Sequence, residues 1–317
     1  MINRELIRKK AVQLTYAYFQ NGNHNIDNAE KELLFSLNKA YHLYNTLLLL
    51  IVAVTKMARK RNEVAIAKVR REGGEMPSER FAYNKFAVQL EENNMLQLYV
   101  EEHKNLWDDK AEFIKNLYLR IEQSDAFKEF VSSEADDYDT HRELWRKLYK
   151  QFVENNCDVD SVLEEESLYW NDDKEVVDSF VIKTIKRFDE KNGKEQELLP
   201  EYTNDEDKEY ARKLFRATIL NADQYQRYMT EASRNWDFSR LAYMDVVIMQ
   251  LAIAEMLTFP AIPVSVTINE YVDLAKSYST PRSGGYINGM LDTIARHLIN
   301  TNKMVKVMPE PKKSIKN

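Results

Sequence analysis

The amino-acid sequence predicts an all-α protein. Its 317 residues are 44% hydrophobic and 30% charged but include only seven glycines and seven prolines, a composition typical of helix-rich globular proteins. No proline interrupts the chain between Pro77 and Pro200. Apolar side chains recur at helical spacing, as at Ile287, Leu291 and Ile294, which follow the i, i+4, i+7 pattern of one helix face. We therefore expect helices along most of the chain.

The predicted helices follow one another in chain order. An amphipathic helix is expected at 3–20, and a long helix that changes from apolar to charged is expected to end in the glycine-containing loop 73–77. The helices expected in the middle of the chain are 82–105, 107–122, 140–155 and 172–190. The helices expected after Pro200 are 203–218, 225–236 and 241–257, followed by a helical hairpin at 263–298.

The hairpin contains an unusual concentration of glycine. Gly284, Gly285 and Gly289 fall within six residues of a chain that has seven glycines in all. Glycine is favoured where the backbone needs φ > 0 or where another surface comes close. We therefore expect a glycine-opened turn that leaves backbone N–H groups free at a helix N-terminus, and close helix packing at Gly289. Asn269 and Asn288 are each expected to hydrogen-bond a neighbouring helix or turn, because asparagine is costly within helices.

Charge is distributed unevenly along the chain. The formal net charge is −6, but residues 1–20 carry +3, residues 56–80 carry +4, residues 81–200 carry −13 and residues 201–317 carry +1. Local basic patches matter more for phosphate binding than the total does. The net acidity therefore does not exclude a nucleic-acid partner for the basic segments.

The sequence predicts a cytoplasmic protein without catalytic chemistry. Cys157 is the only cysteine, which fits a reducing compartment and excludes an internal disulfide. The start of the chain does not read as a signal peptide, and the most apolar stretch, 47–54, is far shorter than the roughly 20 residues of a membrane helix. The five histidines are scattered, and no phosphate loop, nucleophile elbow or dinucleotide fingerprint occurs. We expect no metal, no cofactor, no membrane partner and no enzymatic activity.

Three segments carry a resemblance to a known family. The segment INEYVDLAKSY, a short polar-glycine turn and the segment YINGMLDTIA together resemble the end of the NusB family of bacterial transcription antitermination factors. The segment DVVIMQLAIAEML followed by IPVSVTINE is similar to the apolar helix and proline-marked turn of that family. The opening, with Arg4, Arg8, Lys9, Lys10 and then AVQLTY, is similar to the family's arginine-rich first helix, although Glu5 and Leu6 interrupt the basic cluster. The resemblance covers about residues 3–20 and 205–298.

The resemblance implies a fold and a function. It implies an all-helical protein made of two small bundles, which binds boxA-type single-stranded RNA together with NusE, a ribosomal protein that also acts in transcription. The pair would join RNA polymerase antitermination complexes on ribosomal RNA operons. Some family members pair through the surface that binds RNA, so a homodimer is an alternative state.

The resemblance also implies site residues. The RNA-binding candidates are Arg4, Arg8, Lys9, Lys10, Arg282, Ser283 and Tyr286. Among them, Tyr286 matches an aromatic residue that would stack on a base, an interaction of roughly 1–3 kcal/mol. Arg282 stands where many relatives have an acidic residue. It is either a charge of the loop alone or, as the sharper hypothesis, an added phosphate contact that compensates for the interrupted first cluster. The partner-binding candidates are Tyr16 and Asp245.

The chain departs from the family in length, since family members are commonly about half as long. The predicted organisation is a first core helix at 1–25, a helical insertion of unknown role at 26–200, a NusB-like core at 201–300 and a basic, disordered tail at 301–317. Two other interpretations remain open. The RNA-binding front end of a ribosomal RNA methyltransferase has a similar fold, but it would require a glycine-rich cofactor domain that does not follow residue 298. A helical protein-interaction scaffold that has lost most RNA binding would fit the acidic insertion.

Overall fold

A computed structural model describes residues 1–22, 25–233 and 241–307. Within these ranges the regular structure is helical, and the only β pairing is an isolated parallel bridge between Ile2 and Tyr202. The predicted all-α class is therefore confirmed. Two predictions lie outside the described residues, namely the end of the 225–236 helix at Trp236 and the tail beyond residue 307.

The α-helices of the described ranges are numbered here in chain order. They are α1 (Arg4–Gln20), α2 (Ile26–Glu72), α3 (Lys85–Glu91), α4 (Asn94–Glu102), α5 (Ala111–Glu122), α6 (Asp125–Ser132), α7 (Tyr138–Phe152), α8 (Cys157–Glu166), α9 (Lys174–Arg187), α10 (Asp205–Leu220), α11 (Ala222–Ala232), α12 (Tyr243–Thr258), α13 (Val264–Tyr278) and α14 (Ser283–Asn300). Short 3₁₀ turns precede α5 and α9 and follow α9.

These helices form two compact units. Unit 1 consists of Met1 and Asn38–Glu201, and unit 2 consists of Ile2–Leu37 and Tyr202–Asn317. Unit 1 covers most of the predicted 26–200 insertion, but the first residues of α2, up to Leu37, belong to unit 2. The four-segment organisation drawn from the sequence stays a prediction.

Helix α12 is the core of unit 2. It packs against α1, α10, α11, α13 and α14. Its sequence is apolar on every face, which is typical of a helix surrounded by others, and every residue from Val247 to Met256 is buried. A single carboxylate, Glu255, interrupts this apolar run and is fully buried. The hairpin α13–α14 packs on α12 through residues that include Ile268, Ala275 and Leu291.

The hairpin glycines do not form the predicted turn. Gly284 and Gly285 lie inside the first turn of α14, and neither they nor Gly289 has a positive φ. A Cβ at Gly284 would make ordinary contacts with Lys276 and Val272, whereas a Cβ at Gly285 or Gly289 would meet nothing within 4 Å. The expected close packing at Gly289 is therefore wrong, because that side of α14 is exposed.

Unit 1 differs in detail from the predicted helices. The expected helix at 82–105 is two helices, because Asn93 is buried and ends the first while capping the second: its Oδ1 accepts from the N–H of Leu96 at 3.1 Å. Its Nδ2 donates to the carbonyl oxygen of Gln196 at 2.6 Å, a contact between residues far apart in sequence. Helices α6 and α8 were not predicted.

One helix has the length and composition of a membrane span. A window of α2 passes this test, but 72% of that window is buried inside the protein, as in a core helix of a soluble protein. The apolar residues concerned include Leu47, Leu48 and Ile51, which have no exposed surface.

The start of the predicted tail is ordered against unit 2. Met304 is buried, the N–H of Val307 donates to the carbonyl oxygen of Pro260 at 3.1 Å, and Lys306 Nζ donates to that of Phe259 at 3.1 Å. The prediction of disorder is therefore wrong for residues 301–307.

Candidate functional site

The first half of α1 carries the predicted basic cluster. Asn3 caps this helix, since its side chain accepts from the N–H of Leu6 at 2.9 Å. Helix α1 packs on α10 and α12, so side chains on that face of α1 are buried. The four cations of the cluster therefore have different environments.

Arg8 lies inside unit 2. Its Nε donates to Glu255 Oε2 at 2.7 Å and its Nη2 donates to Glu255 Oε1 at 3.1 Å. Its Nη1 donates to Glu270 Oε2 on α13 at 2.9 Å. Burial lowers the pKa of Arg8, but the hydrogen bond to Glu255 and nearby negative charge outweigh it and raise the pKa above its ordinary value. The guanidinium is permanently charged and directs three of its five N–H donors to protein carboxylates.

Glu255 collects further donors around this ion pair. Thr267 Oγ1 donates to it at 2.7 Å, Tyr271 OH at 3.3 Å and Tyr210 OH through a short hydrogen bond. Burial, and then the charge of Glu255, raises the pKa of both Tyr210 and Tyr271. Both phenols therefore stay protonated and act as donors. The network joins α1, α10, α12 and α13.

The N-terminal cluster offers fewer cations to a ligand than the sequence suggested. Lys10 is 2% exposed and Arg8 is 4% exposed, so neither reaches an external phosphate in this structure. We correct the prediction for these two residues and assign them to the interior. Arg4 remains accessible, although it pairs with Asp207 at 3.6 Å and lies over the ring of Tyr210. Lys9 is partly exposed.

A second group of candidates meets at the start of α12 and α14. Ser283 is buried at the beginning of α14, and its Oγ donates to Asp245 Oδ2 at 3.0 Å. Its Oγ also lies 2.8 Å from Thr280 Oγ1 and 3.1 Å from Ser279 Oγ, in the turn before the helix. Ser283 is thus a structural link rather than an exposed ligand-binding hydroxyl.

Asp245 is buried beside this link. It is 4% exposed, and its Oδ1 has no hydrogen-bond partner among the residues that the structure describes. Burial, and then the negative charge of Asp245, raises the pKa of Tyr286. Asp245, Ser283 and Tyr286 therefore lie together, although the sequence placed the first in a protein interface and the other two in an RNA interface.

The accessible part of this site is formed by Arg282, Tyr286 and two tyrosines. Arg282 is exposed in the turn that begins α14, and Tyr286 is half-buried one turn later. Tyr16 contacts Tyr243 edge to face, with ring centroids 5.7 Å apart, and Tyr243 is 42% exposed two residues before Asp245. Exposed positive charge and aromatic surface therefore occur around a buried carboxylate.

The two asparagines of the hairpin do not have the role that the sequence predicted. Asn288 is exposed between Gly285 and Gly289, and Asn269 is exposed on α13. None of the hydrogen bonds found among the described residues uses either asparagine side chain, so the predicted bonds to neighbouring helices are not present. Gly285 and Gly289 are four residues apart and therefore lie on the same side of α14, a spacing from which an open helix face could have been predicted.

Comparisons with known proteins place the chain among relatives of one family. A sequence model described as the NusB family matches residues 176–296, a range that begins within α9 and does not include α1. The transcription antitermination protein NusB of Salinibacter ruber is 30% identical over 132 residues, which are 40% of this chain and 82% of that protein. The protein of the same name from Thermodesulfovibrio yellowstonii is 36% identical over 125 residues, 39% of this chain and 78% of that protein.

A third relative is matched over less of its length. The transcription antitermination protein NusB of Natranaerobius thermophilus is 42% identical over 90 residues. These residues are 28% of this chain and 65% of that protein. The present chain is longer than these relatives, and its length is consistent with an additional region. No solved structure matches it significantly.

Proposed function

This chain belongs to the NusB family, and from that premise we propose that it is a transcription antitermination factor. In this proposal it is a cytoplasmic, non-enzymatic protein that binds boxA-type single-stranded RNA together with the ribosomal protein NusE. The pair acts in the RNA polymerase antitermination complex on ribosomal RNA operons.

The observation that carries the RNA part of the proposal is the start of α14. Arg282 is exposed and Tyr286 presents a half-buried ring one turn later. An arginine pairs with phosphate through several N–H donors, and an aromatic ring held by its surroundings stacks on a base with little loss of entropy. Arg4 and Lys9 supply further positive charge on α1. Tyr16 supplies the partner surface in this proposal, and Asp245, which is 4% exposed, acts there only from the interior.

The experiment is fluorescence anisotropy with a labelled boxA-type RNA of about 12 nucleotides, a length within the site sizes of single-strand binders. The RNA is titrated with the protein, with and without NusE of the same organism, at two salt concentrations. We expect binding that strengthens with NusE and weakens with salt. Tyr286→Ala is expected to weaken binding roughly 5- to 150-fold, the equivalent of one base stack.

A matched control separates the site from general charge. Arg282→Ala and Arg296→Ala each remove one exposed arginine. Arg282 immediately precedes α14, whereas Arg296 lies near the other end of that helix and pairs with Asp292. Arg282→Ala is expected to weaken RNA binding and Arg296→Ala is not. Equal effects of the two changes, or no binding of the RNA by the unchanged protein with NusE present, would reject the proposal.

A specific observation favours the second candidate, a protein-interaction scaffold that has lost most RNA binding. Arg8 and Lys10 are buried, so half of the N-terminal cluster is withdrawn from any phosphate. The same titration decides between the two, because a scaffold would bind NusE tightly with little salt dependence and leave the RNA free. In that case Tyr16→Ala would weaken NusE binding while Tyr286→Ala would have no effect on RNA.

A further inference from the structure

The second half of α2 is largely solvent-exposed, although Arg59, Arg61 and Asn62 hydrogen-bond or pair with other parts of its unit. Ala58 is its last buried residue, and every residue from Arg59 to Glu72 is partly or fully exposed. Val64, an apolar residue in this segment, is 68% exposed. At 1.5 Å per residue the exposed segment is about 20 Å long. A solvated helix of this length has a surface available to a ligand.

Positive charge is concentrated on one side of this segment. Between Lys56 and Glu72 the chain has seven basic and two acidic side chains. Lys56, Lys60 and Arg71 are spaced by four and eleven residues and therefore fall on one helix face, and Arg70 lies beside them. All four are exposed. We call Lys56, Lys60, Arg70 and Arg71 the basic stripe.

Most of the stripe is free of internal ion pairs. Lys60, Arg70 and Arg71 make no ion pair with any residue that the structure describes, whereas Lys56 lies 3.5 Å from Glu91. Arg59 lies on the same side of the helix but pairs with Glu91, and Arg61, on another side, pairs with Glu122. Cations in the last turn of a helix are favoured by its dipole. The dipole accounts for Arg70 and Arg71, but its effect ends within one turn and does not account for Lys60.

We propose that the basic stripe of α2 is a second RNA-binding surface, which holds the phosphate backbone of single-stranded RNA. The stripe stands out because it belongs to a unit whose segment 81–200 carries a charge of −13. A surface of isolated positive charge in an acidic surrounding attracts a polyanion and repels it elsewhere, so it guides a strand along one path. The identity of the polyanion as RNA rests on the proposed function.

The stripe recognises phosphate, not sequence. Its four side chains are aliphatic stems with charged ends, and no aromatic residue lies in 56–72 to stack on a base. Phosphate contacts position a strand without reading its bases. The stripe is therefore expected to bind single-stranded RNA whatever its sequence.

The test measures the affinity of the full chain for three RNAs at several salt concentrations. The RNAs are boxA alone at about 12 nucleotides, boxA with flanks at about 30 nucleotides, and a strand of about 30 nucleotides without boxA. The variant is Lys60→Ala, Arg70→Ala and Arg71→Ala combined. The control is Lys183→Ala, Lys186→Ala and Lys191→Ala combined, since these are exposed lysines of the same unit outside the stripe. Circular dichroism checks that each variant keeps its helix content.

The expected result is specific to the long RNAs. The stripe variant should lose at least 10-fold in affinity for both 30-nucleotide strands at low salt, and the slope of log affinity against log salt should become shallower by about 2, the value for three single-strand phosphate contacts. Affinity for the short RNA should not change. Equal affinities and slopes for the wild type and the stripe variant on both long RNAs would overturn the proposal. The stripe would then be a solvated surface or a site for an acidic protein. If the wild type bound the long RNAs but not the short boxA RNA, the proposed function would be rejected instead.

Discussion

The guanidinium of Arg8 and the carboxylate of Glu255 form a buried ion pair with two hydrogen bonds, 2.7 Å and 3.1 Å long. A buried charge is tolerated only when it is paired and its remaining donors and acceptors are satisfied. The Arg8–Glu255 pair is compensated in this way, because Glu270 takes a third guanidinium donor and Thr267 donates to Glu255. The pair therefore fixes how α1 and α13 lie on the core helix α12.

Arg8→Ala is expected to destabilise unit 2 strongly. It would leave Glu255 buried without its cation, and breaking a buried pair in this way costs about 3–5 kcal/mol. Urea unfolding followed by circular dichroism measures the effect, and the change is expected in one of two transitions if the two compact units unfold separately.

Arg4→Ala is the matched control for this prediction. Arg4 lies on the same helix, but its side chain is 44% exposed and it is 3.6 Å from Asp207. Exposed pairs of this kind are worth about 0–1 kcal/mol. If Arg8→Ala and Arg4→Ala shifted the unfolding transition equally, the structural role of Arg8 would be refuted.

The Arg8 pair also shows where sequence reasoning stopped. The isolated Glu255 within an apolar helix indicates a buried carboxylate that needs a cation, and this signal was present. Which cation it takes depends on how α1 packs on α12, and helical periodicity does not contain that information. The family resemblance instead suggested an RNA contact for Arg8. The pattern of apolar residues was sufficient to predict the buried side chains of α12, α13 and α14, because the burial of these side chains follows directly from their spacing.

Asp245 and Ser283 are expected to be energetically coupled. Ser283→Ala removes the hydrogen bond to the buried carboxylate, and a buried acceptor that loses its donor costs about 1–3 kcal/mol. In a double-mutant cycle with Asp245→Ala, the combined loss should be smaller than the sum of the two by about 0.5–3 kcal/mol. Ser277→Ala, at an exposed position of α13, is the control and should change the free energy of unfolding by less than about 0.5 kcal/mol. Strict additivity of Asp245→Ala and Ser283→Ala would show that the contact is not formed.

The local features of unit 1 were harder to predict than its helical class. The break between α3 and α4 occurs at Asn93, whose amide is held by the distant carbonyl of Gln196. A continuous helix would satisfy the same local pattern, so the break depends on tertiary structure. The hairpin glycines gave the opposite error. Their clustering suggested a glycine-opened turn and close packing at Gly289, although Gly285 and Gly289 lie in a regular helix with an open face.

Tyr16→Ala is expected to weaken binding of NusE. The Tyr16 ring is partly exposed and is positioned by its edge-to-face contact with Tyr243. An aromatic side chain held in this way is typical of interface hot spots, whose loss costs about 2 kcal/mol or roughly 30-fold in affinity. Isothermal titration calorimetry with NusE measures the effect. Tyr83→Ala, which removes an exposed tyrosine from unit 1, should leave the affinity unchanged. An unchanged affinity after Tyr16→Ala would remove Tyr16 from the interface.

Acidification is expected to destabilise unit 1 through His42. Its Nδ1 lies 3.0 Å from Tyr99 OH, and its ring packs against His103 with centroids 4.5 Å apart. Burial, followed by the charges of His103 and Lys39, lowers the pKa of His42 from 6.5 to about 4. The unfolded chain therefore binds a proton at His42 below pH 6.5 that the folded protein does not bind until about pH 4. Because stability rises with pH wherever the unfolded state holds more protons, the free energy of unfolding should fall as the pH decreases from about 6.5 to about 4.

His42→Gln tests this prediction, because it removes the titrating ring and keeps a polar side chain next to Tyr99. Its urea midpoint should depend less on pH between 6.5 and 4 than that of the wild type. Carboxylates also titrate toward the acidic end of this range, so a control variant is needed. The control is His297→Gln, which removes an exposed histidine of unit 2 and should keep the wild-type pH dependence. If the His42→Gln and His297→Gln profiles coincided across the range, the lowered pKa of His42 would make no contribution to folding, and the packing of His42 against His103 and Tyr99 would be looser than the structure indicates.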